Sequence, residues 1–368
     1  MSYPPLNGAL LPNGALFWQS MRLFFGANLV VDMGAANTRI YVPGRGIALN
    51  EPSVIALRGQ SQTPVAVGRA AKQMVGRVPA SIRVTRPLRD GVISDVGAAT
   101  KMLRAFIRRA IGQPTLFAPR LLLCIPAVTT PLERRALEEV VKGAGARCVQ
   151  FIEEPVAAAG AGVRIESASA RAIVDVGAET VDVAVMSLEG LLHTATFRTG
   201  GRVMDQAIIN FVRERYHLEI GEESAEMVKR TLGATGSQDR NYEMEVGGHS
   251  LRELSPVRVS LTSTEIQTAI KSVVTEITND VAQAFEELPP EAAADLLEAG
   301  VVLTGGAAQL PGLAEKLSEK TGLEMRLATN PALATVIGAA HIFWPEAIIT
   351  ESWPLVEPIA TGTAVLPD

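Results

Sequence analysis

Two stretches decide the fold: Val30-Val-Asp-Met-Gly-Ala-Ala-Asn-Thr-Arg-Ile-Tyr-Val42 and Ile173-Val-Asp-Val-Gly-Ala-Glu-Thr-Val-Asp-Val-Ala-Val185. They align without a gap. Asp32 falls on Asp175, Gly34 on Gly177, Ala35 on Ala178 and Asn37 on Thr180, with β-branched residues on either side. Each reads as strand, Asp-x-Gly, small-residue turn, strand, which is a hairpin whose backbone N–H groups can approach an anion closely. An aspartate repels phosphate, so Asp32 and Asp175 make sense holding a hydrated divalent cation against one. Two such hairpins facing each other would clamp a polyphosphate from both sides. A spacing this long marks a duplicated domain, not a short solenoid repeat.

Outward from the hairpins the chain alternates strands and helices, which predicts an α/β fold. Leu121-Leu-Leu-Cys-Ile-Pro126 is a buried strand, and Pro131 opens a helix over Leu132–Gly143. A strand ends at Phe151-Ile-Glu-Glu-Pro155, followed by a small-residue helix over 156–162. Helices are expected at Val203–Tyr216, Ser224–Leu232 and Ser263–Glu287, with short strands at Glu243–Val246 and Val257–Ser260. Gly300-Val-Val-Leu-Thr-Gly-Gly-Ala-Ala308 is a strand feeding a Gly-rich turn able to pass close under a planar ligand.

Composition removes several function classes. The 368 residues carry a net charge of −5, which argues against an electrostatically driven nucleic-acid binder. The two cysteines, Cys124 and Cys148, form no CxxC and no metal-ligand spacing, so a reduced cytosolic compartment is expected. No apolar run is long enough to span a bilayer. The segment Leu16–Phe25 reads either as an interfacial helix or as a segment packed on the domain body. The Pro-containing stretch 345–368 is expected to be mostly disordered.

The paired hairpins and the late Gly-Gly turn resemble the actin, sugar-kinase and DnaK-type ATPase superfamily, and within it the MreB/Mbl family of bacterial actins. The carrying residues are Asp32–Thr38, Leu49-Asn-Glu-Pro-Ser-Val54, Val67-Gly68 with Ala71-Lys72, and Arg86–Ile93. They continue through Ile152-Glu-Glu-Pro155, Asp175-Val-Gly177, Ile220–Glu226 with Lys229, and Leu303-Thr-Gly-Gly306. The resemblance implies an actin-like fold: two α/β domains, each with a smaller inserted subdomain, and Mg-ATP in the cleft between them. The expected domains are 27–158 with an insertion near 46–90, and 159–344 with an insertion near 203–262. Residues 1–26 and 345–368 fall outside them.

Carried over, Gly34, Ala35, Ala36, Asn37 and Thr38 resemble the first phosphate loop. Gly177, Ala178, Glu179 and Thr180 resemble the second, and Asp32 and Asp175 the Mg2+-facing carboxylates acting through water. Glu222, Glu223, Ser224, Ala225, Glu226 and Lys229 resemble the helix at the ribose and adenine, and Gly305, Gly306, Ala307 and Ala308 the adenosine turn. Glu133 takes the family position of the carboxylate that orients the attacking water, with Thr180 as the second catalytic candidate.

The second loop departs from the family's Gly-Gly-Gly-Thr-Thr: it reads Gly177-Ala178-Glu179-Thr180-Val181. A Glu179 carboxylate turned inward at ~4 Å would repel phosphate by about 4 kcal/mol at an effective dielectric near 20. Ala307 also stands where a third glycine is usual.

The resemblance implies a cytoplasmic, membrane-peripheral protomer that self-associates into filaments, with cell-wall synthesis and shape proteins as partners. Alternatives are a degenerate, non-hydrolysing regulator that co-assembles with other filament proteins, and a small-molecule kinase of the same superfamily. The loop around Leu116 and Phe117, apolar where polar residues are the rule, matches the family's membrane-insertion loop.

Overall fold

The structure, a computed structural model, describes residues 28–344 apart from 60–61, 90, 113–115, 162–168, 188–189 and 237–241. The expectations for segments 16–25 and 345–368 lie outside the described residues.

The first quoted stretch folds as β1 (Asn28–Met33) and β2 (Asn37–Val42), antiparallel, with Asp32 opposite Arg39. β3 (Gly46–Pro52) continues the sheet. β4 (Ile55–Arg58), β5 (Thr63–Val67), helix α1 (Arg69–Lys72) and β6 (Ile82–Thr85) follow, and these strands pair separately in the order β5-β4-β6. After the ribbon β7 (Leu88–Arg89) and β8 (Val92–Ile93) come α2 (Val96–Ile111), β9 (Arg120–Ile125), α3 (Pro131–Ala144), β10 (Cys148–Glu153) and α4 (Glu154–Ala159).

The second stretch repeats this plan as β11 (Arg171–Val176) and β12 (Val181–Ser187), with Asp175 opposite Asp182. β13 (Gly190–Phe197), α5 (Gly201–Tyr216), β14 (Leu218–Glu219) and α6 (Glu222–Leu232) follow. Next are β15 (Glu243–Ser250), β16 (Pro256–Thr262), α7 (Ser263–Glu286), α8 (Pro290–Ala299) and β17 (Val301–Thr304). The described chain closes with α9 (Leu313–Thr321), β18 (Met325–Leu327) and α10 (Ala334–Phe343).

The two main sheets have one topology. The first runs β3-β2-β1-β9-β10 and the second β13-β12-β11-β17-β18. In each, a hairpin lies beside strands joined in parallel to its first strand. Parallel strands covered on both faces must be apolar throughout, and Leu121 to Ile125 are all buried. α2 turns Ala98, Ala99, Met102, Leu103, Phe106, Ile107 and Ala110 inward at helical spacing. Its first turn is capped by Asp95, which accepts from the Ala98 N–H at 2.9 Å. α7 starts with a reciprocal cap between Thr262 and Glu265. Cys124 and Cys148 are free thiols, the first buried.

The last helices of the two halves meet between the sheets. α10, which follows β18, crosses to pack on β1, β2 and β9 of the first sheet, whereas α4, which follows β10, lies against β9 and β10 on one side and β11 and β12 on the other. The helices meet where Gly160, just past α4, lies under Gly338 of α10.

Several elements differ from the sequence expectation. The small-residue helix expected over 156–162 is α4, which starts at Glu154 with Pro155 in its first turn and ends at Ala159, and α6 starts at Glu222 rather than 224. The short strands near 243–246 and 257–260 are one long hairpin paired from Glu243–Thr262 to His249–Pro256. Gly247 and Gly248 continue the strand, and Gly248 lies where the Glu219 carbonyl leaves no room for a Cβ. α5 begins at Gly201 rather than 203, because Gly200 is pressed against the Ala178–Glu179 peptide.

Candidate functional site

Both hairpin turns need their glycine for the same reason. A Cβ on Gly34 would sit 3.0 Å from the Asn37 carbonyl oxygen, and one on Gly177 3.1 Å from that of Thr180. The first turn is braced from below by the fully buried Ser53. Its hydroxyl donates to the Gly34 carbonyl at 2.6 Å and lies 2.9 Å from the Thr38 hydroxyl. The second is stapled to the start of α5: the N–H groups of Gly201 and Arg202 donate to the carbonyls of Gly177 (3.1 Å) and Ala178 (2.7 Å).

The Gly305 turn packs on the end of β11. Gly305 has φ +93°, and a side chain there would strike the Val176 carbonyl. Gly306, Ala307 and Ala308 follow, with the Ala307 methyl beside Gly201. Lys229 reaches the same spot, its Nζ donating to the Gly201 carbonyl at 2.7 Å and pairing with Asp205 at 2.7 Å. The second loop, the late turn and α6 therefore converge. Ser224 and Ala225 lie in the first turns of α6, Ala225 buried and Ser224 exposed enough to leave the core.

The three glutamates of α6 are directed across the cleft. Lys72 pairs with Glu226 at 2.5 Å, Arg86 with Glu222 at 2.8 Å and Arg77 with Glu223 at 3.4 Å. Burial works to raise the Glu226 carboxyl, but the hydrogen bond and charge of Lys72, with Arg230 and Lys229, hold it below the usual range.

Carboxylates dominate the floor of the cleft. Asp32 is held by Arg39 at 2.7 Å. Asp175 accepts from the Thr304 hydroxyl at 2.9 Å, and Asp182 from that of Thr196 at 2.6 Å. Burial, then the charge of Asp182, raises the Asp175 carboxyl to about 7. Burial, then Asp32, Asp182 and Asp175, raises Glu154 well above the carboxylate range. Asp182 is also raised, chiefly by burial.

Asp32, Asp175 and Glu154 thus feel the charge of one arginine, Arg39, and the oxygens of Asp32 and Asp175 are donors that suit a hard divalent cation. Among the described residues no three His, Cys, Asp or Glu side chains gather closely enough to enclose a metal.

Glu133 and Thr180 line one cavity of about 180 Å³ with Gly91, Pro126, Thr196 and Arg198. Glu133 also serves its own helix: its Oε2 accepts from the Thr130 N–H at 2.7 Å and hydroxyl at 2.8 Å. Glu179 carries no bare charge into the cleft. It is buried and paired with the Arg202 Nε at 3.1 Å, so the repulsion expected of a lone carboxylate is compensated. Leu116 and Phe117 stand out at the surface, 73% and 45% exposed.

The sequence assigns no site role to Arg39, Asp182, Arg202 or Arg77, nor to Glu154, Lys72 and Arg86, although the last three stand in motifs that carry the family resemblance. For Arg39 and Asp182 the signal was present, since they occupy equivalent positions in the aligned hairpins.

A duplicated five-stranded sheet with two hairpin loops facing one cleft defines an actin-like protein. The chain belongs to the MreB/Mbl protein family, whose model matches residues 26–347. It is 44% identical over 326 residues to cell shape-determining protein MreB of Escherichia coli K12, covering 87% of this chain and 94% of that protein. To Mbl of Bacillus subtilis 168 it is 36% identical over 315 residues, covering 85% and 95%. The solved structure of MreB5 of Spiroplasma citri bound to ADP superposes with a TM-score of 0.81 at 31% identity, over 87% and 96% of the two chains. The MamK double helical filament shares the fold, with a TM-score of 0.71 at 20% identity over 86% and 98%.

Proposed function

We propose that this chain is a nucleotide-binding protomer of bacterial actin-like filaments that act in cell-shape determination and guidance of wall synthesis. The observation that carries the reading is the pair of matched hairpin loops converging on one acid-floored cleft. The ADP- and AMPPNP-bound states of the 31% identical Spiroplasma protein support it.

In this reading Gly34–Thr38 and Gly177–Thr180 present backbone N–H groups to the phosphates, and Gly305–Ala308 lies beneath the adenosine. Lys229 stands with them at the α6 end of the pocket. Asp32 and Asp175 would hold Mg2+ through its waters, and the ion would supply charge that neutralises the phosphates. Glu133 and Thr180 face the shared cavity where an attacking water would be oriented. Since Glu133 Oε2 is engaged by Thr130, turnover requires that cap to loosen or the second oxygen to serve.

The exposed Leu116-Phe117 tip sits beyond the last turn of α2, which carries Arg108 and Arg109. We place this tip in the inner face of the cell membrane. Apolar side chains would enter lipid while arginines meet anionic headgroups.

ATP-dependent pelleting combined with phosphate release tests the proposal. Pelleting with release that Glu133→Ala abolishes supports a hydrolysing filament. Pelleting without release favours the non-hydrolysing regulator, for which the engaged Glu133 speaks. Neither pelleting nor nucleotide binding would refute the assignment.

A further inference from the structure

Glu179 is the residue that looks most out of place in a phosphate loop, and its surroundings give it a task. It occupies the second loop, where a carboxylate alone would drive an anion away. In the structure it is buried and lies 3.1 Å from the Nε of Arg202. Arg202 is the second residue of α5, and its own N–H donates to the Ala178 carbonyl at 2.7 Å, so its backbone is fixed to the loop it serves. Its Nη2 extends to 3.5 Å from the carbonyl of Ala35 in the opposite loop. The guanidinium therefore lies between the two hairpin turns. Burial, and then the charge of Arg86, works against its protonation, while Glu179, Glu222 and Asp205 favour it.

Resting on the nucleotide-binding reading above, we propose that Arg202 is a phosphate-binding residue of the cleft and that Glu179 is its positioning residue. A guanidinium holds its donors in a rigid planar fork. With Nε on Glu179, the terminal nitrogens remain directed between the loops. Their contact with the Ala35 carbonyl, at the outer limit of a hydrogen bond, is easily exchanged for a phosphate oxygen. The loop that departs from glycine thus replaces part of a backbone N–H cradle with a charged side chain. A charge placed there discriminates by phosphate charge. It favours a triphosphate over a diphosphate if it meets the terminal group, a contact that also stabilises charge developing during phosphoryl transfer.

Calorimetry on the full chain with Mg2+ and either AMPPNP or ADP, with adenosine as a control for the base pocket, tests this. Five proteins are compared: wild type, Glu179→Ala, Glu179→Gln, Arg202→Ala and the Glu179→Ala, Arg202→Ala double variant. Arg202→Ala removes the cation and leaves the buried carboxylate behind. Its affinity for AMPPNP should fall about 100- to 1,000-fold. The double variant removes both charges and should fall only about 10- to 30-fold, so it binds better than Arg202→Ala alone. Glu179→Ala frees the guanidinium from its support, costing several-fold in AMPPNP affinity, and Glu179→Gln, which still accepts from Nε, should restore most of it. The AMPPNP-to-ADP affinity ratio should drop in every variant lacking Arg202, and adenosine binding should not change.

A purely structural ion pair would lower the melting temperature of both single variants and leave that ratio untouched. That result, or unchanged AMPPNP affinity in Arg202→Ala, overturns the proposal. Wild-type protein that binds neither nucleotide would overturn the nucleotide reading itself, and this inference with it.

Discussion

Replacing Lys72 by Met keeps the aliphatic stem and removes the charge that joins α1 to α6 across the cleft. The expected consequence is faster nucleotide release, and the structure sets its size. Three ion pairs span the opening, and their exposure ranks them. Lys72 and Glu226 are each about three-quarters buried, at 27% and 28% side-chain exposure, with a 2.5 Å separation. Arg86 is 21% exposed but its partner Glu222 is 52% exposed. Arg77 and Glu223 are 66% and 47% exposed at 3.4 Å.

Exposed pairs are worth ~0.2–1 kcal/mol, so the outermost contributes little and the innermost lies at or just above the top of that range. Lys72→Met should therefore favour the open cleft by about 1–1.4 kcal/mol, a five- to tenfold faster release. Stopped-flow displacement of a fluorescent ADP analogue reads this directly. At 50 mM salt the variant should release five- to tenfold faster than wild type. At 500 mM, where screening weakens the wild-type pairs, the gap should narrow to about twofold. Equal release rates at both salt concentrations, with melting temperatures unchanged, would show that these pairs do not hold the cleft shut.

Other consequences are equally open to measurement. The folded, nucleotide-free protein keeps a proton on Asp175 up to about pH 7, whereas an unfolded aspartate loses it near pH 4. Stability contributed by the protonated form is therefore lost as pH rises through that window, by at most about 1.4 kcal/mol per pH unit for one proton. Melting should be lower at pH 8 than at pH 5.5, and a flat profile would contradict the raised carboxyl. Gly338→Ala would drive a methyl into the Ala157 carbonyl, and overpacking of this kind costs about 1–3 kcal/mol. Urea unfolding with an unchanged midpoint would show that the helices can part freely. Leu116→Ser with Phe117→Ser removes about 3–6 kcal/mol of burial available in lipid. Flotation of filaments on anionic liposomes should fall sharply, and undiminished flotation would place attachment elsewhere.

The hairpins were legible because they carry two signals at once: period-two β-branched strands and a glycine that the turn geometry demands twice. α7 was legible because a long amphipathic run follows Thr262 and a capping glutamate. The cross-cleft pairs were not, since Lys72 and Glu226 stand 154 positions apart and each alone reads as a solvated helix charge. Glu179 was legible as an anomaly but not as a pair, because Arg202 is brought to it by the Gly200-Gly201 turn packing beneath the loop. The acid cluster was half legible. The repeat alignment sets Arg39 against Asp182, but the burial that raises Asp175 and Glu154 arises only when the two sheets and α4 pack together.

That packing has a mechanical side. Because α10 caps the sheet of the opposite half and α4 is wedged between both sheets, the halves are laced together like clasped hands. Opening cannot proceed by one half swinging free. It has to turn both helices against each other at the point where Gly160 and Gly338 bring bare backbone into contact. Two side chains of α10 bracket that contact: His341 Nδ1 lies 2.9 Å from the Gly160 carbonyl and Ile342 sits beside Gly160, so a turn of one helix has to carry them along. A change of angle at this joint is therefore shared by both halves rather than confined to one.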